Sequence, residues 1–186
     1  MLSERVEFAV TTMLEAHGLG RRKTGRNLQA THVLAVGIIV RDFGFDEDTV
    51  IAAILHDTLE DTPIDRAVIA RRFGEEVLAT VEDVTEPPRA TAWRLRKERY
   101  IAQVRDTPRE RARAVASADK IHNLTTMTAG LEAEGRGFAG VFTAGLDDMI
   151  WYHETVHRTL ADIWSHAILD EHRRRLDRFL TVARAA

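Results

Sequence analysis

The segment AAILHDTLEDT, residues 52–62, joins an apolar run to one histidine and three carboxylates. His56 and Glu60 are four residues apart, and so are Asp57 and Asp61, which puts them on adjoining strips of one helix surface. Carboxylates at a helix C-terminus oppose the helix dipole by about 0.3–1 kcal/mol each, and partial burial adds to that cost. A divalent cation bound by His56 and Asp57 would offset it. Glu60 and Asp61 would then be available to orient water or carry protons.

Taken alone, this segment fits a solvated acidic helix end equally well, with His56 hydrogen-bonded in the core. Two other segments favour a metal. QATHVLAV places His32 at the start of an apolar helix, and SADKIHNL places Asp119 in a helix whose preceding residues are small. An unpaired buried carboxylate is costly, so we expect Asp119 to be paired with a cation or with hydrogen-bond donors. A set of two histidines and two carboxylates suits Mn²⁺, Fe²⁺ or Zn²⁺.

Composition and charge exclude several classes of site and partner. The chain of 186 residues contains no cysteine, which excludes disulfides, cysteine-ligated zinc and a cysteine nucleophile. Its net charge of -3 gives no general attraction to nucleic acid. Charged residues interrupt the N-terminus where a signal peptide needs an apolar core, and no apolar run approaches the ~20 residues of a membrane span. We therefore expect a cytoplasmic protein that binds neither nucleic acid nor membranes.

Apolar residues recur at helical spacing along almost the whole chain, and no segment alternates as a strand does. Asp46 is predicted to cap one helix, Gly74 to separate two short ones, and Pro63 to end the helix of residues 52–62 near Asp61. The prediction is a single all-α domain over residues 1–186, with about eight to ten helices.

The loop GLGRRKTGRN, residues 18–27, is basic and punctuated by glycine. Arg22 and Lys23, with Arg21 and Arg26 nearby, can neutralise a polyphosphate, and arginine can also stack on a base. The loop is not a Walker motif, because no glycine directly precedes the lysine. A solvated flexible turn is the alternative for this segment taken alone.

In this order the motifs resemble those of the HD-domain metal phosphohydrolases. They are most similar to the RelA/SpoT-type hydrolase branch, which acts on alarmone nucleotides and includes small stand-alone hydrolases of the metazoan SpoT type. The resemblance rests on four segments: AHGLGRRKTG at 16–25, THVLAV at 31–36, AAILHDTLEDT at 52–62 and ADKIHNL at 118–124. MIWYHETV at 149–156 is also similar to the C-terminal helix of the small hydrolases.

This resemblance implies an HD-domain helical bundle and a metal site. The implied metal is Mn²⁺, with Fe²⁺, Zn²⁺ or another divalent ion as alternatives, and the implied ligands are His32, His56, Asp57 and Asp119. The pair implied to position and activate water is Glu60 and Asp61, and the residues implied to contact the nucleotide are Arg22, Lys23 and Asn123. The implied reaction removes the 3′-pyrophosphate from guanosine tetra- or pentaphosphate.

The chain also departs from the pattern of that branch. Leu28 and Gln29 stand where the branch commonly has Pro-Tyr, and Thr125 stands where it often has arginine. These departures put the substrate in question more than the hydrolysis. Two alternatives therefore stay open: an HD phosphohydrolase acting on another nucleotide, such as NADPH, a dNTP or a nucleoside monophosphate, or a nucleotide sensor without turnover.

A competing motif is HETVH, residues 153–157, which fits the zinc-protease pattern H-E-x-x-H. We find no strands for a protease's substrate edge and no later Gly-x-x-His extension. The favoured interpretation is an amphipathic helix with Trp151, Val156 and Leu160 packed inward. His17 is interpreted as a packing residue. His122 is predicted to face a different side of its helix from Asn123 and to have no role.

Overall fold

The structure is a computed structural model that describes residues 3–23 and 27–186. The predicted Arg26 lies outside the described residues. Within them there is an isolated bridge between Arg21 and Leu28 but no strand, so the prediction of an all-α fold is confirmed. The α-helices, in chain order, are α1 Glu4–His17, α2 Gln29–Asp42, α3 Glu47–Leu55, α4 Thr58–Asp61, α5 Arg66–Phe73, α6 Glu75–Val84, α7 Trp93–Asp106, α8 Glu110–Glu134, α9 Leu146–Ile163 and α10 Ala167–Ala185.

Local sequence explains several of these boundaries. The Asp46 side chain accepts a hydrogen bond from the Thr49 N–H at 3.0 Å, which is the predicted cap of α3. Gly74 has φ +98° between α5 and α6, a conformation that favours glycine and gives the predicted break. The glycine-rich segment after α8 is a 3-10 helix, Gly135–Val141.

The largest apolar cluster lies where α2, α3 and α8 pack against one another. Val36 of α2, Ile51 of α3 and Val115 of α8 are fully buried there. Small residues such as Ala116 and Ala118 line the same part of α8. Burying one Val or Ile side chain contributes about 1.5–3 kcal/mol, so this cluster fixes the three helices firmly relative to one another. Each of these helices, or its end, carries a candidate site residue.

A second apolar cluster joins the C-terminal half of α8 to the 3-10 helix and α10. Its members include Leu124, Phe138, Leu176 and Phe179. Gly130 of α8 lies directly under the Phe138 ring, where a Cβ atom would approach ring carbons to 2.3 Å. Glycine is therefore required there by close packing.

No helix among the described residues is long and apolar enough to cross a membrane.

Replacing Gly130 by alanine is expected to lower the free energy of unfolding by about 1–3 kcal/mol, because the added methyl group must displace the buried Phe138 ring. Alanine is otherwise the better helix former by about 1 kcal/mol, so a loss of stability isolates the packing effect. Urea denaturation measures it. Gly140→Ala is the control, since a Cβ there meets no atom within 4 Å. Equal stability of the two variants would contradict the packing argument.

Candidate metal centre

Three packed elements bring the predicted metal ligands together. His32 lies in the first turn of α2, His56 and Asp57 lie between α3 and α4, and Asp119 lies in the middle of α8. His32, His56 and Asp119 are all buried, and each offers a ligand atom within 4.8 Å of the other two. Residues from distant parts of the chain therefore converge as the sequence predicted. Their binding of a metal stays a prediction.

The chain between α3 and α4 differs from the prediction of one helix running to Asp61. Helix α3 ends at Leu55, and a single-turn helix begins at Thr58. Asp57 takes φ -89° and ψ -5° at the junction, and its carbonyl accepts hydrogen bonds from the N–H groups of Glu60 and Asp61. The acidic pair therefore lies in the first turn of α4. Because α4 is a single turn that ends at Asp61, the pair also lies at the helix C-terminus, which is where the sequence predicted the helix to end.

Both histidine rings turn Nε2 toward the carboxylates. His32 Nε2 is 3.1 Å from Asp119 Oδ1 and 3.6 Å from Asp57 Oδ2. His56 Nε2 is 3.1 Å from Asp57 Oδ1 and 3.9 Å from Asp119 Oδ1. Asp57 thus joins the cluster through both carboxylate oxygens, one toward each histidine. Two imidazole nitrogens and two carboxylates at this spacing form a donor set that suits a divalent transition metal.

The hydrogen bonding of His56 supports the same conclusion. Its Nδ1 is 2.7 Å from the Ala53 carbonyl oxygen, which can only accept, so Nδ1 carries a proton. In the neutral ring, Nε2 therefore has a lone pair directed at the cluster. Nε2 is buried and has no hydrogen-bond partner. A buried polar atom without a partner is costly, and a metal ion would satisfy it.

The charges of the cluster are only partly balanced by the chain itself. Burial alone would raise the pKa of Asp119, but Lys120 and then His32 hold it well below the ordinary value. Lys120 is itself buried and donates to Asp119 Oδ2 at 2.5 Å. Burial opposes protonation of His56, yet Asp57 and Asp119 raise its pKa above the ordinary value. The cluster therefore attracts positive charge, whether as protons or as a cation.

Two amides hold the carboxylates in place. Gln29 Nε2 donates to Asp57 Oδ2 and Asn123 Nδ2 donates to Asp119 Oδ1, each at 2.5 Å. Sequence reasoning missed the supporting roles of Gln29 and Lys120. The sequence signal for the role of Gln29 is its position one helical turn before His32. The signal for Lys120 was its position next to the buried Asp119.

Glu60 and Asp61 differ in their surroundings. Burial, followed by the charge of Asp57, raises the pKa of Glu60 to about 7, and its carboxylate accepts a hydrogen bond from the Glu86 N–H at 2.6 Å. Burial and Asp57 also raise the pKa of Asp61, which forms an ion pair with Arg89. A carboxylate with a pKa near neutrality is suited to proton transfer. Glu60 is therefore the better placed of the predicted pair for that role.

A cavity of about 480 Å³ extends from the cluster to the basic loop. The predicted Arg22, Lys23 and Asn123 all line it. Arg22 donates to Asn123 Oδ1 at 2.6 Å, so the loop is held against α8. Arg96 and Lys97 of α7, both ion-paired with Glu86, also line the cavity, and sequence reasoning missed them. Cations from the basic loop and from α7 thus line the cavity, which suits a polyphosphate.

Thr125 stands where the RelA/SpoT-type branch often has arginine. Its side chain is exposed, and its hydroxyl donates to the Ile121 carbonyl at 2.8 Å. The next residue, Thr126, is the one that lines the cavity. Leu28 pairs with Arg21 at the base of the basic loop. Of the three departures, Gln29 therefore has the most direct contact with the cluster.

The HETVH helix has the packing expected of the amphipathic alternative. His153 lies among the rings of Tyr152 and Phe179, and His157 Nε2 is 3.4 Å from the Leu169 carbonyl oxygen. Glu154 pairs with Arg184 at the surface. Among the described residues, the grouping of metal-binding type is the one at His32 and not one on this helix.

Two further histidines lie at the site. His122, predicted to face a different side of α8 from Asn123 and to have no role, has its Nδ1 2.8 Å from His32 Nδ1. His17, interpreted as a packing residue, lines the cavity. Its Nε2 is buried without a hydrogen-bond partner, and burial lowers its pKa.

Comparison with known proteins agrees with this geometry. The sequence model described as HD domain matches residues 9–142, and the chain belongs to the HD domain family. It is 34% identical over 126 residues to the guanosine-3′,5′-bis(diphosphate) 3′-pyrophosphohydrolase of Aquifex aeolicus, which covers 67% of this chain and 18% of the relative. It is 33% identical over 129 residues to the GTP pyrophosphokinase of Streptomyces coelicolor, covering 66% and 15%. The chain thus spans less than a fifth of the length of these relatives.

Two solved structures share the fold. The crystal structure of lmo0812 from Listeria monocytogenes EGD-e matches with a TM-score of 0.70 and 34% identity, covering 78% of this chain and 96% of that one. A metazoan ortholog of SpoT, described as hydrolysing ppGpp, matches with a TM-score of 0.76 and 24% identity over 97% and 96% of the two chains. The predicted relationship to HD-domain proteins of the RelA/SpoT type is confirmed.

Replacing Glu60 by glutamine is expected to stabilise the metal-free protein at pH 8 by about 1–3 kcal/mol and to change little at pH 5. The pKa of Glu60 is near 7 in the folded chain and 4.5 ordinarily, so stability is lost as pH rises between these values. Glutamine removes the charge and keeps the acceptor for the Glu86 N–H. Chemical denaturation at both pH values measures the difference.

The exposed Glu15 provides the control, with Glu15→Gln expected to leave stability nearly unchanged at both pH values. A destabilised Glu60→Gln protein at pH 8 would show that the ionised carboxylate is favourably held and would contradict the predicted cost.

Replacing His153 by leucine is expected to make the protein less sensitive to acid. Burial, followed by Lys120 and Lys97, lowers the pKa of His153 to about 3, so the unfolded chain takes up a proton near pH 6.5 and the folded chain does not. Stability is therefore lost as pH falls from about 6.5 toward 3. At pH 5 this loss is about 2 kcal/mol for one histidine.

Urea denaturation at pH 8 and pH 5 tests this, with Tyr152→Phe as the matched control. Tyr152 is equally buried on the same helix, but its pKa is raised well above 10, so it does not titrate in this range. The same pH dependence in His153→Leu and the wild-type protein would rule out the assigned contribution.

Proposed function

We propose that the chain is a metal-dependent pyrophosphohydrolase that removes the 3′-pyrophosphate from guanosine 3′,5′-bis(diphosphate) or its pentaphosphate. The observation that carries this proposal is the buried cluster of His32, His56, Asp57 and Asp119 at the end of a cavity lined with cations. The name of the Aquifex aeolicus relative supports the substrate. We further propose that residues 1–186 act as one HD unit, in the cytoplasm expected from the sequence.

The residues proposed to hold the ion are His32, His56, Asp57 and Asp119, with Mn²⁺ as the preferred metal and Fe²⁺ or Zn²⁺ as alternatives. A divalent ion of this kind supplies positive charge to a phosphoryl oxygen and lowers the pKa of water. The donor set fits such an ion, since His56 Nε2 is buried without a partner and two carboxylates face the histidines.

Glu60 is proposed to take the proton from the attacking water. In the metal-free chain, burial and the charge of Asp57 raise the pKa of Glu60 to about 7, which favours acceptance of a proton. Asp61 is proposed to assist by orienting water, and its ion pair with Arg89 holds it at the cavity edge. The Glu86 N–H fixes the Glu60 carboxylate at 2.6 Å. The proton therefore has an acceptor that the chain keeps in one orientation.

Arg22, Lys23 and Asn123 are proposed to bind the nucleotide. Arg22 presents a planar guanidinium suited to phosphate oxygens or to stacking on a base. Arg96 and Lys97 of α7 supply further positive charge to the same cavity. The two diphosphate groups of the proposed substrate match a cavity lined by cations from two elements of the chain. The exposed side chain of Thr125 supports no alternative nucleotide in particular.

Purified, chelator-stripped protein is expected to release pyrophosphate from guanosine tetraphosphate when Mn²⁺ is added. In Asp57→Asn the rate is expected to fall by at least about 100-fold, because one ligand charge is lost while the contact with Gln29 can remain. Asp42→Asn is the control, since Asp42 lies at the surface end of α2 and pairs with Arg41.

The same preparation separates the alternatives. Tight binding of the nucleotide with no product would identify a sensor. Turnover of NADPH, a dNTP or a nucleoside monophosphate, with none of the alarmone, would replace the proposed substrate. Full activity of Asp57→Asn would refute the proposed metal centre.

A further inference from the structure

The contact between His32 and His122 is not explained by any role assigned so far. The two Nδ1 atoms are 2.8 Å apart, and the ring centroids are 4.8 Å apart. His32 belongs to α2 and His122 to α8, ninety positions later in the chain. Two imidazoles at this distance share one hydrogen bond, so one ring must donate from Nδ1 and the other must accept.

The two nitrogens of His32 face opposite partners. Nε2 faces Asp119 and Asp57, while Nδ1 faces His122. Turning the ring over would direct carbon atoms at the carboxylates and at His122, and both contacts would be lost. The His32 ring is also 2% exposed, so its polar atoms depend on neighbouring side chains for hydrogen bonds.

We infer that His122 is a positioning residue that holds the His32 ring in the orientation and tautomer needed to bind a metal, on the basis of the metal centre proposed above. For Nε2 of His32 to offer its lone pair, the proton of the neutral ring must sit on Nδ1. His122 Nδ1 then accepts that proton's hydrogen bond, and the proton of His122 sits on Nε2.

The other histidine of the cluster shows what such a support does. His56 Nδ1 donates to the Ala53 carbonyl, so a backbone acceptor fixes its ring. The Nδ1 of His32 faces a side chain instead, since it lies 2.8 Å from His122 Nδ1. A side chain from α8 therefore provides the acceptor for His32.

The charge of the site explains why a neutral acceptor is suitable. Asp57, Asp119, Glu60 and Asp61 already place four carboxyl groups close together, and a further carboxylate would add to their repulsion. A neutral imidazole accepts the hydrogen bond without adding negative charge. His122 also lies three residues after Asp119, so one face of α8 supplies a predicted ligand and the support of another.

The test is Mn²⁺ affinity, measured by calorimetry on chelator-stripped protein with no nucleotide present. His122→Leu is expected to weaken binding about 10–100-fold, as is typical when a ligand's supporting partner is removed. His122→Asn is expected to stay within about 3-fold of wild type, because Asn Oδ1 takes the place of Nδ1 as acceptor. His122→Gln, whose oxygen takes the place of Nε2, is expected to resemble His122→Leu.

Two controls separate positioning from general damage. Thr125→Val changes an exposed residue of the same helix and is expected to leave the affinity unchanged. The metal-free His122→Leu protein is expected to stay folded and to unfold cooperatively, at a lower temperature than wild type because the buried His32 Nδ1 loses its acceptor. In long-range ¹H–¹⁵N NMR spectra of the Zn²⁺-loaded wild-type protein, His122 is expected to be protonated at Nε2 and not at Nδ1.

Wild-type affinity in His122→Leu, or an equal loss in His122→Asn and His122→Leu, would overturn the positioning role. So would a proton on Nδ1 of His122 in the loaded protein. A wild-type protein that binds no Mn²⁺ or Zn²⁺ would overturn this role together with the metal centre. Normal metal binding without release of pyrophosphate would refute the proposed reaction and leave the positioning role standing.

Discussion

The buried carboxylate of Asp119 is the constraint on which the rest of the site depends. Ionised and unpaired, it would cost several kcal/mol in the middle of α8. Lys120 is the neighbouring residue and balances it at 2.5 Å, with its ammonium 4.7 Å above the Tyr100 ring. That single buried cation does not balance Asp57 as well. The chain therefore folds around a site whose charge is complete only when protons or a cation are added.

The helix that carries Asp119 organises much of what surrounds it. Asn123 joins Asp119 to Arg22 of the basic loop, and His122 contacts His32 of α2. The spacings of three and four residues put each of these two side chains next to Asp119 on α8. The small residues that precede Asp119 let α8 pack closely on its neighbours, so their relative positions are held by the core and not by the site. A site so supported can keep its geometry before any ligand arrives.

The fold and the outline of the site could be predicted from local signals, and the supporting contacts could not. Helical spacing, the Asp46 cap and the break at Gly74 each depend on residues close together in the chain, so the helices and their ends could be predicted from the sequence. The break in the helix at Asp57 was missed because the sequence signal, Pro63, indicates only where the helix must end. It gives no information on a break several residues earlier. The contact made by His122 could not be predicted from its neighbour Asn123. It was decided by His32, which lies ninety positions away and reaches it only after α2 packs on α8. Arg96 and Lys97 were missed for the same reason, since Glu86 and the cavity define their role.

The histidines show that the sign of the surrounding charge, more than the local motif, decides what a histidine does. His56 and His153 are both buried. His56 belongs to the His-Asp pair of the HD pattern, and His153 is the first residue of the H-E-x-x-H pattern. His56 faces two carboxylates, which raise its pKa and make it a good partner for a cation. His153 lies near Lys120 and Lys97, which together with burial lower its pKa to about 3. A metal ion at His153 would meet the same repulsion as a proton does. Burial and the cations that balance Asp119 and Glu86 thus disfavour positive charge at His153, whereas the carboxylates beside His56 favour it.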